Sequence, residues 1–373
     1  MAFIKNIEIN NLRGIQELSI SDFSNINIVV GDNNSGKTTF LEAIQLLFAK
    51  TNISSINRII RQRTTLNGNR SYYTSFIKMF NVRQDANNLE VDIYADTDNG
   101  PLEFQLQGSE SLITEDEAIQ MSPDLRARVR YLRGRTSDNP SMVKLFNGSI
   151  AVHIGEVIEE RDVSITSLDR RIIGPLEKKE INYISSFGHL RYDLLQNIVE
   201  NLEYKRIVIE VLRRFDEEIE DVCYTKADDG GFMETVVTAD GVLMPFSIYG
   251  DGIKKILYIM NRMIEASDSI LLIDEIETGL HKKYYNELFP VIFALAAKFN
   301  VQLFITTHSI EVIDAILNYG EYDNNPKDVD PIRVITLKKN SNTNTHESRV
   351  VARNVLGSYV YENRKAFEFE VRL

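Results

Sequence analysis

At 373 residues, 43% of them hydrophobic and 26% charged, the chain is long enough to bury one large core or two medium ones. Its single cysteine, Cys223, excludes an intrachain disulfide or a cysteine-rich metal site and fits a reducing, cytoplasmic setting; no apolar run approaches the ~20 residues that a membrane helix requires. A net charge of −12 argues against a surface that binds nucleic acid wholesale.

The chain opens on alternating residues with no signal-peptide core. Residues 3–9, 15–20 and 26–30 read as short strands, with Asn11-Leu12-Arg13-Gly14 turning between the first two. Behind the third strand comes Gly31-Asp32-Asn33-Asn34-Ser35-Gly36-Lys37-Thr38-Thr39, then an apolar-periodic helix to about Phe48. Strand, glycine-bounded loop and helix form the context of a G-x-x-x-x-G-K-[ST] phosphate loop. Gly31 and Gly36 let successive N–H groups turn inward, and the helix adds its positive end. Lys37 supplies a mobile cation for the β- and γ-phosphates, and the Thr38 hydroxyl a position on Mg²⁺.

Arginines then cluster twice, at Arg58, Arg61, Arg63 and Arg70 and at Arg126, Arg128, Arg130, Arg133 and Arg135. Alternation with Ala127, Val129 and Tyr131 predicts a strand with Arg126, Arg128 and Arg130 on one face. Such a face is either a solvated outer sheet or a contact for phosphate backbone or an acidic partner. Glu90–Ala95 and Leu102–Leu106 read as paired strands; Met142–Phe146 and Ser149–Ile154 read as a hairpin around Asn147-Gly148. No heptad persists, so no coiled-coil arm is expected.

From Arg191 to Val222 the apolar spacing is helical, followed by a hairpin with Ala239-Asp240-Gly241 at its turn. Gly250-Asp251-Gly252 then sits directly before a helix, again presenting N–H groups to an anion. Ile270-Leu271-Leu272-Ile273 predicts a strand buried on both faces and ending in Asp274-Glu275. Ligands of α/β sheets bind at that edge, where Asp274 can hold Mg²⁺ through its water shell and Glu275 can orient or deprotonate a water. After a helix over 281–299, a second buried strand delivers Thr307, His308 and Ser309 to the same edge, and His308 is placed for a γ-phosphate contact. His281 reads as a helix-start residue and Cys223 as a small buried hydrophobe. A helix over 309–318, a strand at Ile332–Lys338, a hairpin near Asn340–Asn344 and a final helix near 356–366 complete the chain.

In this order, these stretches resemble an ABC-type ATPase of the RecF/SMC class. G-x-N-N-S-G-K-T, Y-G-D-G-I-K-K-I-L, L-L-I-D-E-I-E-T-G-L-H and T-T-H-S-I-E are most similar to ATPases of the overcoming-lysogenization-defect (OLD) family, over residues 1–50 and 180–320. The resemblance implies an α/β fold: an ABC-ATPase head (P-loop NTPase) with a mixed sheet core, an antiparallel β subdomain and a helical signature subdomain. Residues 1–50 would carry the phosphate loop, 51–190 a lateral β-rich insert, 191–268 the helical and signature part, and 269–373 the rest of the head.

It further implies ATP and Mg²⁺ as ligands and a homodimer with two ATP molecules between protomers. Arg13, Gly31, Asn33, Asn34, Ser35, Gly36, Lys37, Thr38 and Thr39 would bind ATP, with Thr38 and Asp274 on the metal. Glu275 would act on water, His308 would sense the γ-phosphate, and Gly250, Asp251 and Gly252 would close over the partner's nucleotide. Gly250 stands where related proteins often carry serine, and Gln84, Gln105 and Gln107 are candidates for a Mg²⁺-sensing glutamine. Only about 65 residues follow His308, too few for the Toprim nuclease domain of OLD nucleases, so a cutting subunit is expected on another polypeptide. Three functions follow: an ATP-gated switch for a separate effector in phage defence or DNA surveillance, a RecF-like DNA-binding accessory using the arginine clusters, or a transporter ATPase.

Overall fold

The computed structural model describes residues 3–62, 72–126, 129, 142–169, 181–190, 194–227, 230–317, 331–340 and 345–352. Strands β1 (Ile4–Asn10), β2 (Glu17–Ile20) and β3 (Ile26–Val30) open the chain, and α1 (Lys37–Leu47) follows the glycine-bounded loop. Next come α2 (Ile53–Arg61), capped by the Asn52 side chain, and α3 (Tyr72–Ile77). A meander then runs through β4 (Leu89–Thr97), β5 (Gly100–Thr114), α4 (Glu115–Met121), β6 (Met142–Ile154) and β7 (Val157–Thr166). The central part holds β8 (Asn182–Ile184), α5 (Gln196–Val199), α6 (Leu202–Arg213), β9 (Ile219–Lys226), β10 (Phe232–Thr238) and β11 (Leu243–Pro245). The last part holds α7 (Asp251–Glu265), β12 (Ile270–Ile273), α8 (Tyr285–Lys298), β13 (Gln302–Thr307), α9 (Ile310–Leu317), β14 (Ile332–Lys339) and β15 (His346–Ala352).

These strands form three sheets. The core sheet has the order β15-β14-β3-β13-β12-β8, parallel from β14 to β8 with β15 antiparallel at its edge. A lateral antiparallel sheet runs β2-β1-β4-β5-β6-β7, and a three-stranded one runs β11-β10-β9. Every residue of β3, β12 and β13 is buried, because helices or a second sheet cover both faces. Ile28, Ile273 and Ile305 face the cluster built with α7 and α8. Val29, Leu272 and Phe304 face the other way, toward α1 and the lateral sheet. Between those layers Phe23, Phe40 and Phe304 meet with ring centroids 5.1–5.9 Å apart. Gln302 joins the two sheets with its side chain: Oε1 accepts from the Ile4 N–H at 2.9 Å and Nε2 donates to the Ile4 carbonyl at 2.8 Å. A buried amide here takes the place of a strand neighbour and leaves no polar group of Ile4 unpaired.

Three sequence expectations are corrected. Residues 142–154 form one continuous strand, not a hairpin around Asn147-Gly148; the turn lies at Gly155-Glu156, with Gly155 at φ 58°. Gly148 instead pairs with Gly108 of β5, and the strands approach so closely that a Cβ on Gly148 would lie 2.0 Å from the Gln107 carbonyl oxygen. Arg126 and Val129 are helical, against the strand expected at those positions; Arg63, Arg70, Arg128, Arg130, Arg133 and Arg135 lie outside the described residues. The helical stretch expected up to Val222 ends at Arg213, and Ile219 already belongs to β9, whose Ile219 and Val222, on either side of a register shift, are buried against the α6 layer. The final helix near 356–366 also falls outside the described residues. Among those described, no helix is long and apolar enough to cross a membrane.

The Gly108–Gly148 approach predicts that Gly148→Ala forces β5 and β6 apart and destabilises the fold by about 1–3 kcal/mol, read as a lower midpoint in a urea titration.

Candidate functional site

Parallel pairing sets three strand ends side by side. Val30 pairs with Thr307, and Ile273 with Ile305, so β3, β13 and β12 all finish at one edge of the core sheet. At that edge the chain turns sharply after Val30. A Cβ on Gly31 would lie 2.4 Å from the Leu337 carbonyl oxygen and 2.6 Å from Ser35 Oγ, so only glycine fits. Asn34 and Gly36 take left-handed conformations at φ 68° and 96°, and Gly36 caps α1 with no side chain on the first amides. Those amides, unanswered by any acid in the first turn, give α1 an electropositive end. Asn33 and Asn34 are exposed, whereas Ser35, Lys37 and Thr39 are buried.

The Lys37 ammonium donates to the carbonyls of Gly31 at 2.7 Å and Asp32 at 2.9 Å, which folds it back over the loop. Burial pulls its pKa down, while the nearby carboxylates of Asp274, Glu277, Glu275 and Asp32 oppose that shift. Thr38 Oγ1 donates to Asp274 Oδ1 at 3.3 Å. Asp274, 6% exposed, is held further by Thr306 Oγ1 on Oδ1 at 2.7 Å and by the Tyr183 hydroxyl on Oδ2 at 3.2 Å. The Thr38 hydroxyl and the Asp274 carboxylate are hard oxygen donors within contact of each other, a set that fits Mg²⁺ better than a soft metal.

Glu275 follows in a left-handed conformation at φ 47°, its N–H donating to Thr306 Oγ1 at 2.8 Å. Its Oε2 accepts from Ser186 Oγ at 3.1 Å and Thr278 Oγ1 at 3.4 Å. His308 stands half exposed at the end of β13, where Glu277 Oε1 meets both its Nδ1 and its main-chain N–H at 2.8 Å. The structure therefore brings Lys37, Thr38, Asp274, Glu275 and, through Glu277, His308 to one edge.

Other expected residues lie elsewhere. Arg13 is locked to α1, with Nε 2.6 Å from Glu42 Oε2 and Nη2 donating to Glu42 Oε1 and the Ile60 carbonyl, both at 3.1 Å. Gly250, the N-cap of α7, and Asp251 are exposed; Gly252 sits beside Tyr284 and Gly279, where a Cβ would be 3.3 and 3.7 Å from them. Gln84 bonds to the Glu90 main chain and Gln105 to Glu103 in the lateral sheet. His281 caps the turn ahead of α8, its Nδ1 accepting from the Lys283 N–H. Sequence reasoning missed Tyr183, Ser186, Thr306, Lys255 and Glu277. Of these only Thr306 had a usable signal, as a hydroxyl in an otherwise apolar buried strand.

With this geometry in view, the sequence signature of the family described as AAA domain, putative AbiEii toxin, Type IV TA system (AAA_21) matches residues 26–314. The chain belongs to the AAA_21 family. An ATP/GTP phosphatase of Helicobacter pylori is 24% identical to this AAA_21 chain over 349 residues, covering 87% of it and 91% of the relative. The DNA replication and repair protein RecF of Francisella tularensis subsp. mediasiatica is 30% identical over 122 residues, 32% of this chain and 33% of RecF. The Smc head domain with an extended coiled coil, bound to the C-terminal domain of ScpA from Pyrococcus furiosus, superposes with a TM-score of 0.53 at 11% identity, covering 98% of this chain and 100% of that one. The fold is that of an ABC-ATPase head, and family, fold and relatives together support a nucleotide-hydrolysing ATPase of the ABC/SMC/RecF type.

Thr306 is the hub between Asp274 and the Glu275 main chain, so Thr306→Val leaves a buried carboxylate and an N–H short of a partner. The expected loss is about 1–3 kcal/mol of stability in a denaturant titration.

Proposed function

We propose that this chain binds and hydrolyses ATP with Mg²⁺ as a dimeric switch for a separate effector. The observation that carries the reading is the convergence of Lys37, Thr38, Asp274 and Glu275 where β3 and β12 end. In it, the turned-in amides from Asn33 to Thr39 and the α1 terminus take the phosphate oxygens, and Lys37 swings from its carbonyl partners to the β- and γ-phosphates. Thr38 and Asp274 hold Mg²⁺, which when bound neutralises charge on the transferred phosphoryl group. Glu275 orients a water and takes its proton, and His308, steadied by Glu277, meets the γ-phosphate. Gly250 and Asp251, exposed at the start of α7, and the half-buried Gly252 close over the nucleotide of a second copy. The family's description as a putative AbiEii toxin of a type IV system supports a setting in phage defence or DNA surveillance. OLD-like motifs support a nuclease as the effector.

Lys37→Ala is expected to lower turnover by ~10²-fold or more, and Glu275→Gln by ~10²–10⁴-fold, in a phosphate-release assay; wild-type rates in either variant sink the reading. Glu275→Gln with ATP and Mg²⁺ should also scatter light as twice the 42.7 kDa chain, and a monomeric trace throughout would count against the dimer.

A second reading, a RecF-like DNA-binding accessory, draws on the local likeness to RecF and on Arg58 and Arg61 near the end of α2. DNA affinity should then fall steeply with salt, and Arg58→Glu with Arg61→Glu should flatten that slope. An unchanged slope removes α2 as the DNA site.

A further inference from the structure

Lys255 lies on the inner side of α7, one turn after the exposed Asp251, and is fully buried. Its ammonium donates to three main-chain carbonyls from two turns: Thr278 at 2.7 Å and Glu275 at 3.1 Å in the turn after β12, and Ser186 at 3.4 Å in the turn after β8. An ammonium has three hydrogens, so this set satisfies it completely. The same residues reappear around the Glu275 carboxylate: Ser186 and Thr278 are the two whose hydroxyls donate to Glu275 Oε2. Each hydroxyl aimed at the carboxylate thus has its own backbone fixed by Lys255, and so does Glu275.

We propose that Lys255 is a positioning residue that aims the Glu275 carboxylate by tying the Ser186 turn and the Glu275–Thr278 turn to the helix behind Gly250-Asp251-Gly252. The inference rests on the ATPase reading above. It deepens that reading by adding a link through α7 from the exposed glycine-rich turn to the carboxylate that acts on water. Apolar burial of α7 by Ile256, Leu257 and Tyr258 holds the helix in place without the ammonium, so the tie and the packing are separable. Burial pulls the Lys255 pKa down to about 8, against the fields of Glu277, Glu275 and Asp274, which fits a cation held for its directed bonds rather than for solubility.

The test is steady-state ATP hydrolysis by the full chain with a parallel measurement of fluorescent ATP-analogue binding. Lys255→Met should keep its circular dichroism spectrum and bind the analogue within about 3-fold of wild type, while kcat falls about 10-fold or more, short of the ~10²–10⁴ that loss of a general base costs. Ser186→Ala combined with Thr278→Val removes the two aiming hydroxyls and leaves Lys255 in place; it should show the same fall in kcat with KM unchanged. Combining all three substitutions should lower kcat no further than Lys255→Met alone, because they break one device. If Lys255→Met does not fold, the Ser186→Ala and Thr278→Val pair decides: wild-type kcat overturns the inference, and the kcat-only fall supports it. A folded Lys255→Met with wild-type turnover, or one that loses analogue binding and kcat together, also overturns it. Glu275→Gln run alongside separates the two levels, since wild-type turnover there fails the ATPase reading itself, whereas its loss beside an unaffected Lys255→Met fails the inference alone.

Discussion

Two buried ammonium groups and three carboxylates set the terms for the rest of the molecule. Lys37 and Lys255 both lie in the field of Asp274, Glu275 and Glu277. Burying a charge is costly unless it is paired and fully hydrogen-bonded. Here both ammoniums bond to main-chain carbonyls, Asp274 takes hydroxyls from Thr38, Thr306 and Tyr183, Glu275 takes those of Ser186 and Thr278, and Glu277 meets His308. The partners come from the loop after β3, the end of β8, the turn after β12 and the end of β13. The charge cluster can therefore be satisfied only when those segments are all in their folded positions.

The sheets supply that simultaneity. Parallel pairing without register shifts brings β3, β13 and β12 to a common edge, and apolar layers on both faces keep them from sliding. The lateral sheet contributes no group to the cluster, but Gln302 ties its first strand to the start of β13. The base of that strand is thus fixed by an amide and its end by Thr306 and His308. Such a construction favours short, stiff elements over long loops around the chemistry.

Much of this arrangement could be read in the sequence, for local reasons. Ile26–Val30, Ile270–Ile273 and Val301–Thr307 are apolar runs followed at once by glycine, acid or histidine, and a buried strand that ends in chemistry leaves that trace. What failed was whatever depended on a distant partner. Asn147-Gly148 carries a strong turn signal, yet Gly148 answers Gly108 across the sheet, a pairing no local window contains. Ile219 fits the helical spacing of α6, yet it opens β9, which pairs with β10 residues that the local window does not contain. Tyr183 and Ser186 reach Asp274 and Glu275 from about ninety residues away, and Lys255 from twenty, with no spacing rule to announce them.

Glu275 holds a backbone conformation that glycine or asparagine would occupy more comfortably. A branched or long side chain there costs on the order of 1 kcal/mol, and the fold retains one all the same. Arg13 and Lys50 carry long side chains in the same region, but at Glu275 the preference of the main chain opposes the role proposed for the side chain. Replacing Glu275 by glycine would relax the main chain and remove the carboxylate that Ser186 and Thr278 hold, so under the proposed role a more robust backbone and a working site exclude each other here.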